Sequence, residues 1–422
     1  MSIQAVVGAN WGDEGKGRMV DYLARDAAFV VRYQGGNNAG HTVVNDCGEF
    51  KLHLLPSGVF YPSVTNILGP GMVIDIEELT KEIDELQDKG ITPNIRISER
   101  ATICFPFHRL EDGLEEDRLG KNAYGSTRRG IAPAYGDRTV KKAIQVGELL
   151  YPERLNTRLR KISEWKLERL KAFYGSENLF SVDDILDWTD KFGSRIRPFI
   201  TDTSELLEKG AEQGQNILFE AQLGTLRDLN FGIYPFTTSS CTLAAYAPIG
   251  GGLFGHKIDN VIAVVKAFST CVGEGPFVTL MEQEEGDELR EFAKEYGAAT
   301  GRPRTIGHFD AVATRYGAWA QGANAVALTK LDSLSGRKTL KICTNYLWQG
   351  KHYNRFPLNA VLEEAEPEYI EMPGWDEDIT QVRDFEKLPR NAQDYVLTIE
   401  KVIECPIPYV SVGPERDALI RR

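Results

Sequence analysis

The chain has 422 residues, a hydrophobic fraction of 42% and a formal net charge of −12, so it is long enough for one large or two ordinary domains. The acidic balance, with no long basic run, argues against a nucleic-acid surface but leaves room for a local basic pocket that takes small anions. Six scattered cysteines (47, 104, 241, 271, 343, 405) without a CxxC pair predict buried free thiols in a reducing compartment; no apolar run nears the ~20 residues of a membrane span, which predicts a soluble cytoplasmic protein with no membrane partner.

Residues 3–7 are apolar and partly β-branched, and read as a buried strand that begins the chain in place of a signal peptide. The loop Gly8-Ala-Asn-Trp-Gly-Asp-Glu-Gly-Lys-Gly17 follows. Behind it Met19, Val20, Leu23 and Ala24 recur at helical spacing. Strand, glycine loop and helix together aim backbone N–H groups and a positive helix end at a phosphate. The loop is not a Walker A motif. Asn10 stands where that motif needs its first glycine, and Gly17 where it needs Ser or Thr. Asp13 is the oxygen ligand that can replace the missing hydroxyl. Residues 28–32 read as a second strand entering a second glycine loop, Gln34-Gly-Gly-Asn-Asn-Ala-Gly-His-Thr42. A short strand is expected at 52–55 and an amphipathic helix at 77–89. Residues 99–125 are mixed and charged, and 125–135 form a third polar glycine loop. Residues 152–190 are helix-rich and surface-like, part of an excursion near 150–215. Strands at 217–220, 261–266, 325–328 and 409–411 each empty into a polar loop. The pattern predicts an α/β fold: a mainly parallel central sheet flanked by helices, with P-loop-like glycine loops at the strand carboxyl ends. No linker or repeat divides it, so residues 1–422 are expected to form a single domain.

Residues 11–17, 38–42, 297–304, 330–332 and Gly413-Pro414 resemble, in order and spacing, the signatures of the adenylosuccinate synthetase family. The similarity runs over nearly the whole chain. It implies a GTP- and Mg²⁺-dependent ligase that joins L-aspartate to C6 of IMP through a 6-phosphoryl intermediate, releasing adenylosuccinate, GDP and phosphate. It also implies a homodimer. Elementary chemistry agrees: a purine 6-oxo group leaves poorly until phosphorylated. Phosphorylation needs a base at N1 and a donor at the transferring phosphoryl group. Asp13 can be the base, and by resemblance it is a Mg²⁺ ligand with the Gly40 carbonyl; a helix N-cap is the alternative. His41 can be the donor, or a loop histidine satisfied by backbone. Lys16 can neutralise phosphate charge. By resemblance Gly12, Gly15, Lys16, Gly17, Gly40, Thr42 and Arg304 surround the GTP phosphates.

Arg302 and Arg304 flank a proline after a glycine, which suits carboxylate and phosphate recognition, or a solvated basic loop. By resemblance Ala299, Thr300, Arg302 and Arg304 hold aspartate. Lys330-Leu-Asp332 resembles the guanine-reading Lys-x-Asp, since one carboxylate can accept from guanine's N1–H and 2-amino group. Chance is the alternative for so short a match. Ser411 and Gly413 complete that pocket. The resemblance assigns Asn38, Thr127, Lys141, Gln222, Thr238, Val272 and Arg302 to the IMP site. Asp21 and Tyr22, on the first helix, are expected to be surface or packing residues.

The chain departs from the family pattern in the base pocket. Where the family reads Phe-Glu-Gly-Ala-Gln-Gly-Thr, this sequence reads Phe219-Glu-Ala-Gln-Leu-Gly-Thr225. The glutamine has moved one place early to Gln222, and Leu223 takes its slot. Lys141 aligns with an arginine that reaches the neighbouring subunit's nucleotide. Glu274 replaces a small residue, Cys241 an asparagine, and His308 a tryptophan. Three readings stay open: drift in a working enzyme with Gln222 swinging into place, a paralogue acting on GMP, dGMP or another 6-oxopurine nucleotide, and a catalytically weak nucleotide-binding regulator. Glu274 either accepts from a 2-amino group or faces solvent. A dinucleotide oxidoreductase is disfavoured because the first loop, Gly8–Gly17, lacks GxGxxG and no ribose-binding acid follows it cleanly.

Overall fold

The computed structural model describes residues 1–175, 179–297 and 301–422. Its central sheet has ten strands. In chain order they are Ile3–Gly8 (β1), Phe29–Arg32 (β2), Thr65–Leu68 (β3), Ile95–Ser98 (β4), Ile200–Thr201 (β5), Ile217–Glu220 (β6), Asn260–Lys266 (β7), Ala325–Thr329 (β8), Tyr409–Ser411 (β9) and Leu419–Arg421 (β10). Across the sheet the order is β10-β9-β8-β7-β1-β6-β2-β3-β4-β5. Only β10 pairs antiparallel, with β9; every other neighbouring pair is parallel.

Burial on both faces explains why these strands read as unbroken apolar runs. Ala5, Val7, Val31, Phe219 and Ala263 pack into the core on one face. Val6, Val30, Leu218 and Val264 meet Met19, Val20 and Ala24 of the first helix, Lys16–Ala24 (α1), on the other. Because nine strands run the same way, the loops after β1, β2, β6, β7, β8 and β9 open at one edge. That edge carries the glycine loops.

Several expectations need correction. Residues 53–55 are not a strand. The ladder is a separate antiparallel hairpin of His41–Asn45 and Gly48–Leu52. The N–H groups of His53, Leu54 and Leu55 go instead to the Glu82 carboxylate on the Ile76–Asp88 helix (α2), at 2.7–3.2 Å. The charged stretch 99–125 contains a 14-residue helix, Pro106–Leu119 (α3). Its inward face carries Glu111, Asp112 and Glu116, all buried, which hides the amphipathic pattern. Ile131–Thr139 (α4) follows the third glycine loop. Pro152–Tyr174 (α5) and Val182–Ile196 (α6) bury Leu155, Leu159, Ile162, Ile185 and Ile196 against Ile95, Ile97, Phe105 and Phe107. The chain then returns to the sheet edge through β5. No helix among the described residues is long and apolar enough to cross a membrane.

Candidate active site

The loop after β1 is shaped by three left-handed residues, Gly12 (φ 103°), Asp13 (φ 59°) and Gly15 (φ 98°). Glu14 is buried beneath it and accepts from the backbone N–H groups of Asn10 (3.2 Å) and Gly12 (2.8 Å). Lys16 donates to the other Glu14 oxygen at 2.6 Å, and both side chains are almost fully buried. Lys16 is thus held by an internal carboxylate. Gly17 has a steric reason to be glycine. A Cβ there would lie 2.8 Å from the His41 Cβ and 3.2 Å from the Ser57 hydroxyl. The histidine loop therefore rests directly on the first turn of α1.

Asp13, half-buried, takes the Arg304 guanidinium at 2.9 Å. Burial raises its pKa, but Arg304, Lys266 and Lys16 outweigh burial and hold the carboxyl below its ordinary range. His41 is held by its Nδ1, 2.5 Å from Glu220 Oε1. Glu220 also accepts from the Ser57 N–H and hydroxyl, both at 2.7 Å. Burial opposes its charge, yet His41, Arg32 and Ser57 keep Glu220 below the usual glutamate value. Burial also lowers the His41 pKa, against Glu220. His41 Nε2 is buried and has no hydrogen-bond partner among the described residues. Sequence reasoning missed Glu220; its signal was a lone acid closing a wholly apolar strand.

A cavity of about 650 Å³ opens beside this loop, within the ~300–1,000 Å³ usual for small-molecule sites. Gly12, Asp13, Asn38, Gly40, Thr127, Thr238, Val272, Arg302 and Arg304 all line it. Two of its walls offer buried polar atoms without a hydrogen-bond partner, Trp11 Nε1 and Thr238 Oγ1. Such atoms are where a ligand's polar groups are received. Arg302 donates to the Gly125 carbonyl at 3.0 Å. Arg227, also missed from sequence, braces the far wall by donating to the Val272 and Glu274 carbonyls, both at 2.9 Å.

Other predicted residues lie elsewhere. Gln222 is fully buried and spent on Gly36, donating to its carbonyl (2.8 Å) and accepting from its N–H (3.1 Å). Leu223, left-handed at φ 61°, lines the cavity in its stead. Glu274 is exposed, next to Gly125. Lys141 is exposed beyond the end of α4 and is not among the residues lining this chain's cavity. Thr42 is exposed on the hairpin. Ala299 and Thr300 lie outside the described residues.

A second corner forms where β8 and β9 lie side by side, paired Leu328↔Val410. Lys330, left-handed at φ 65°, donates to the Ala293 carbonyl at 2.7 Å. Burial pushes the Asp332 carboxyl up, against Lys330 and Arg18. The Ser411 hydroxyl donates to the Gly413 carbonyl at 3.0 Å, and Arg18 donates to the Glu415 carbonyl at 2.9 and 3.1 Å. Asp21 is not a surface residue. It is almost fully buried and takes Arg416 through Nε (2.6 Å) and a terminal nitrogen (2.9 Å). Tyr22 packs edge-on against Tyr409.

A parallel sheet with glycine loops at one edge, an ionised aspartate, an oriented imidazole and a cavity that presents Arg302 and Arg304 beside them defines a nucleotide-using α/β enzyme. The chain belongs to the adenylosuccinate synthetase family, whose model matches residues 5–420. It is 53% identical over 420 residues to adenylosuccinate synthetase 2 of Pseudoalteromonas translucida, covering 99% of each chain. Identity to the adenylosuccinate synthetase of Caldanaerobacter subterraneus is 47% over 426 residues, with 100% and 99% covered. The fully ligated adenylosuccinate synthetase structure from Plasmodium falciparum superposes with a TM-score of 0.93 at 33% identity, covering 100% of both chains. The chain is accordingly a C–N ligase of purine nucleotide biosynthesis, joining aspartate to IMP at the expense of GTP.

Proposed function

We propose that the cavity holds IMP and aspartate, that the corner at 330–332 and 411–416 holds the guanine of GTP, and that Asp13 and His41 act on the 6-oxo group between them. The observation that carries this is the pair of oriented groups on adjoining loops. Asp13 is kept ionised by Arg304, and His41 is aimed by Glu220 with Nε2 left unpartnered. Asp13 takes the proton from purine N1, so charge builds on O6 as it attacks the γ-phosphorus of GTP; the O6–P bond forms as the bond to the β-phosphate oxygen breaks and GDP leaves. With Nδ1 committed to Glu220, Nε2 is the nitrogen that meets the transferring phosphoryl. Its negative charge favours the imidazolium, which burial alone disfavours, and so makes Nε2 a donor. Aspartate's amine then displaces the phosphate at C6. Arg302 and Arg304 are the guanidinium groups that orient its carboxylates.

Magnesium fits this site as an ion shared with substrate. Among the described residues no three acidic, histidine or cysteine side chains gather to hold a metal, whereas Mg²⁺ is commonly bound by one or two carboxylates plus substrate phosphates. Asp13 and the Gly40 carbonyl, both lining the cavity, would hold it. When bound, the ion neutralises charge on the transferring phosphoryl group. We further propose a cytoplasmic homodimer, supported by family membership and by Lys141 being exposed and outside the lining of its own cavity.

The test is adenylosuccinate formation from IMP, aspartate, GTP and Mg²⁺. Asp13→Asn and His41→Asn should each lose ~10²-fold or more in kcat with an unchanged circular dichroism spectrum. Retention of more than roughly a tenth of the rate by the Asp13 variant sinks the assignment. Leu223 on the cavity wall favours one second reading, another 6-oxopurine nucleotide in the same place. A panel of IMP, dIMP, GMP and dGMP decides it by kcat/KM.

A further inference from the structure

The mechanism above leaves unused a fully buried carboxylate between the two substrate corners. Glu295 follows the Gln283–Ala293 helix and is 0% exposed. Three cations from three different segments converge on it. Lys266, at the end of β7, reaches Oε2 at 2.6 Å. Arg304 reaches the same oxygen with one terminal nitrogen, while its other holds Asp13 at 2.9 Å. Lys330 stands 3.7 Å from Oε1. Among the described residues Oε1 is buried without a hydrogen-bond partner.

A structural ion pair would be complete with one cation. Here one carboxylate is shared by the arginine proposed for aspartate, the lysine proposed for guanine, and Lys266, which also donates to Thr270 on the cavity wall at 2.7 Å. Three like charges on one wall repel each other, and Glu295 is what holds them together. Its burial makes that hold strong, since water does not screen it. All three cations help to keep Glu295 ionised, down at about 2, against the burial that would raise it.

We infer that Glu295 is a positioning residue that couples the aspartate corner to the guanine corner through Arg304 and Lys330. The inference rests on the assignment of those two corners above. Whichever ligand binds first fixes the shared carboxylate and its cations. The second ligand then finds them already ordered, so the coupling is favourable and reciprocal. Glu295 touches no reacting atom in this scheme.

The experiment is a grid of initial rates over GTP and L-aspartate at saturating IMP, in wild type, Glu295→Gln and Glu295→Asp. In the wild type, saturating GTP should lower the KM for aspartate several-fold, and saturating aspartate should likewise lower the KM for GTP. Glu295→Gln should bring that factor to one and raise the aspartate KM about tenfold. Glu295→Asp, which keeps the charge, should restore part of the coupling. A folded, active Glu295→Gln enzyme with the wild-type factor overturns the inference, as does a wild type whose two KM values are independent. If Glu295→Gln fails to fold, Glu295→Asp carries the test, because withdrawing the charge by one methylene must weaken the factor; an unchanged factor overturns it. A wild type that makes no adenylosuccinate overturns the underlying assignment instead.

Discussion

Gly17 shows how much one missing methyl decides. The sequence marks it as a departure from the phosphate-loop pattern, and the structure supplies the cause: the His41 side chain lies where a Cβ would go. Gly17→Ser restores the motif's hydroxyl but pushes His41 away. It should lower kcat at least tenfold with no gain in Mg²⁺ affinity, because misplacement by about an ångström costs on the order of 10²-fold. A variant with wild-type kcat would mean that His41 tolerates the displacement. His308 offers a pH test. It is buried edge-on against Tyr369 at 5.2 Å, and burial, with Lys341 and Arg337 nearby, lowers its pKa to about 4. The unfolded chain takes up that proton near the ordinary pKa of ~6.5, whereas the native state refuses it until about 4. Stability therefore falls as pH drops through this window. His308→Phe should flatten the Tm profile between those limits, and parallel profiles for the two proteins would refute the assignment. At this scale the sequence was legible at Asp13 and Arg304, singled out on separate loops and found paired at 2.9 Å on one cavity. It was misleading where two adjacent residues compete for one wall. Gln222 looked like a displaced base contact, but Gly36 satisfies its donor and acceptor and Leu223 keeps the wall.

Elements were legible when both faces are apolar. β1, β6, β7, β8 and β9 announce themselves as short hydrophobic runs because helices cover the sheet on both sides. α3 did not, because its inward acids serve a loop rather than a core. Glu116 accepts from the N–H groups of Tyr124, Gly125 and Ser126 at 3.1–3.2 Å, and Asp112 from Gly130 at 2.8 Å. No hydrophobic period records such a role. A similar polar tie joins three elements at Asp21. This α1 carboxylate accepts from Arg416, just beyond β9, and from Asn45 of the hairpin at 3.2 Å. Arg416 also approaches Asp46 at 3.4 Å. The loop after β9, proposed for guanine, and the histidine hairpin are thus latched to one helix. Arg416→Met leaves Asp21 buried without a counter-charge, a change that costs about 3–5 kcal/mol for buried pairs. It should lower Tm and raise the KM for GTP more than that for IMP. Adding Asp21→Asn should recover most of the Tm. If the single variant shifts both KM values equally, the latch does not serve the guanine corner in particular.

For the whole molecule, a net charge of −12 coexists with a cavity lined by Arg169, Arg227, Arg302 and Arg304. Overall composition therefore says little about a substrate that meets only the local field. It also could not say how many chains make one site. Lys141 is the residue that poses this question, being exposed past α4 and outside its own chain's cavity. If it serves the cavity of a second copy, two defective chains should rescue each other. In a mixture of Asp13→Asn and Lys141→Ala chains, each mixed dimer has one cavity with both defects and one with neither. With free exchange and two-fold symmetry, half the dimers are mixed, so activity should recover to about a quarter of wild type. Each variant alone should be far below that, Lys141→Ala through a higher KM for IMP. Activity that stays at the mean of the two separate variants, with subunit exchange confirmed by native mass spectrometry, would place Lys141 outside any shared site and leave each cavity to a single chain.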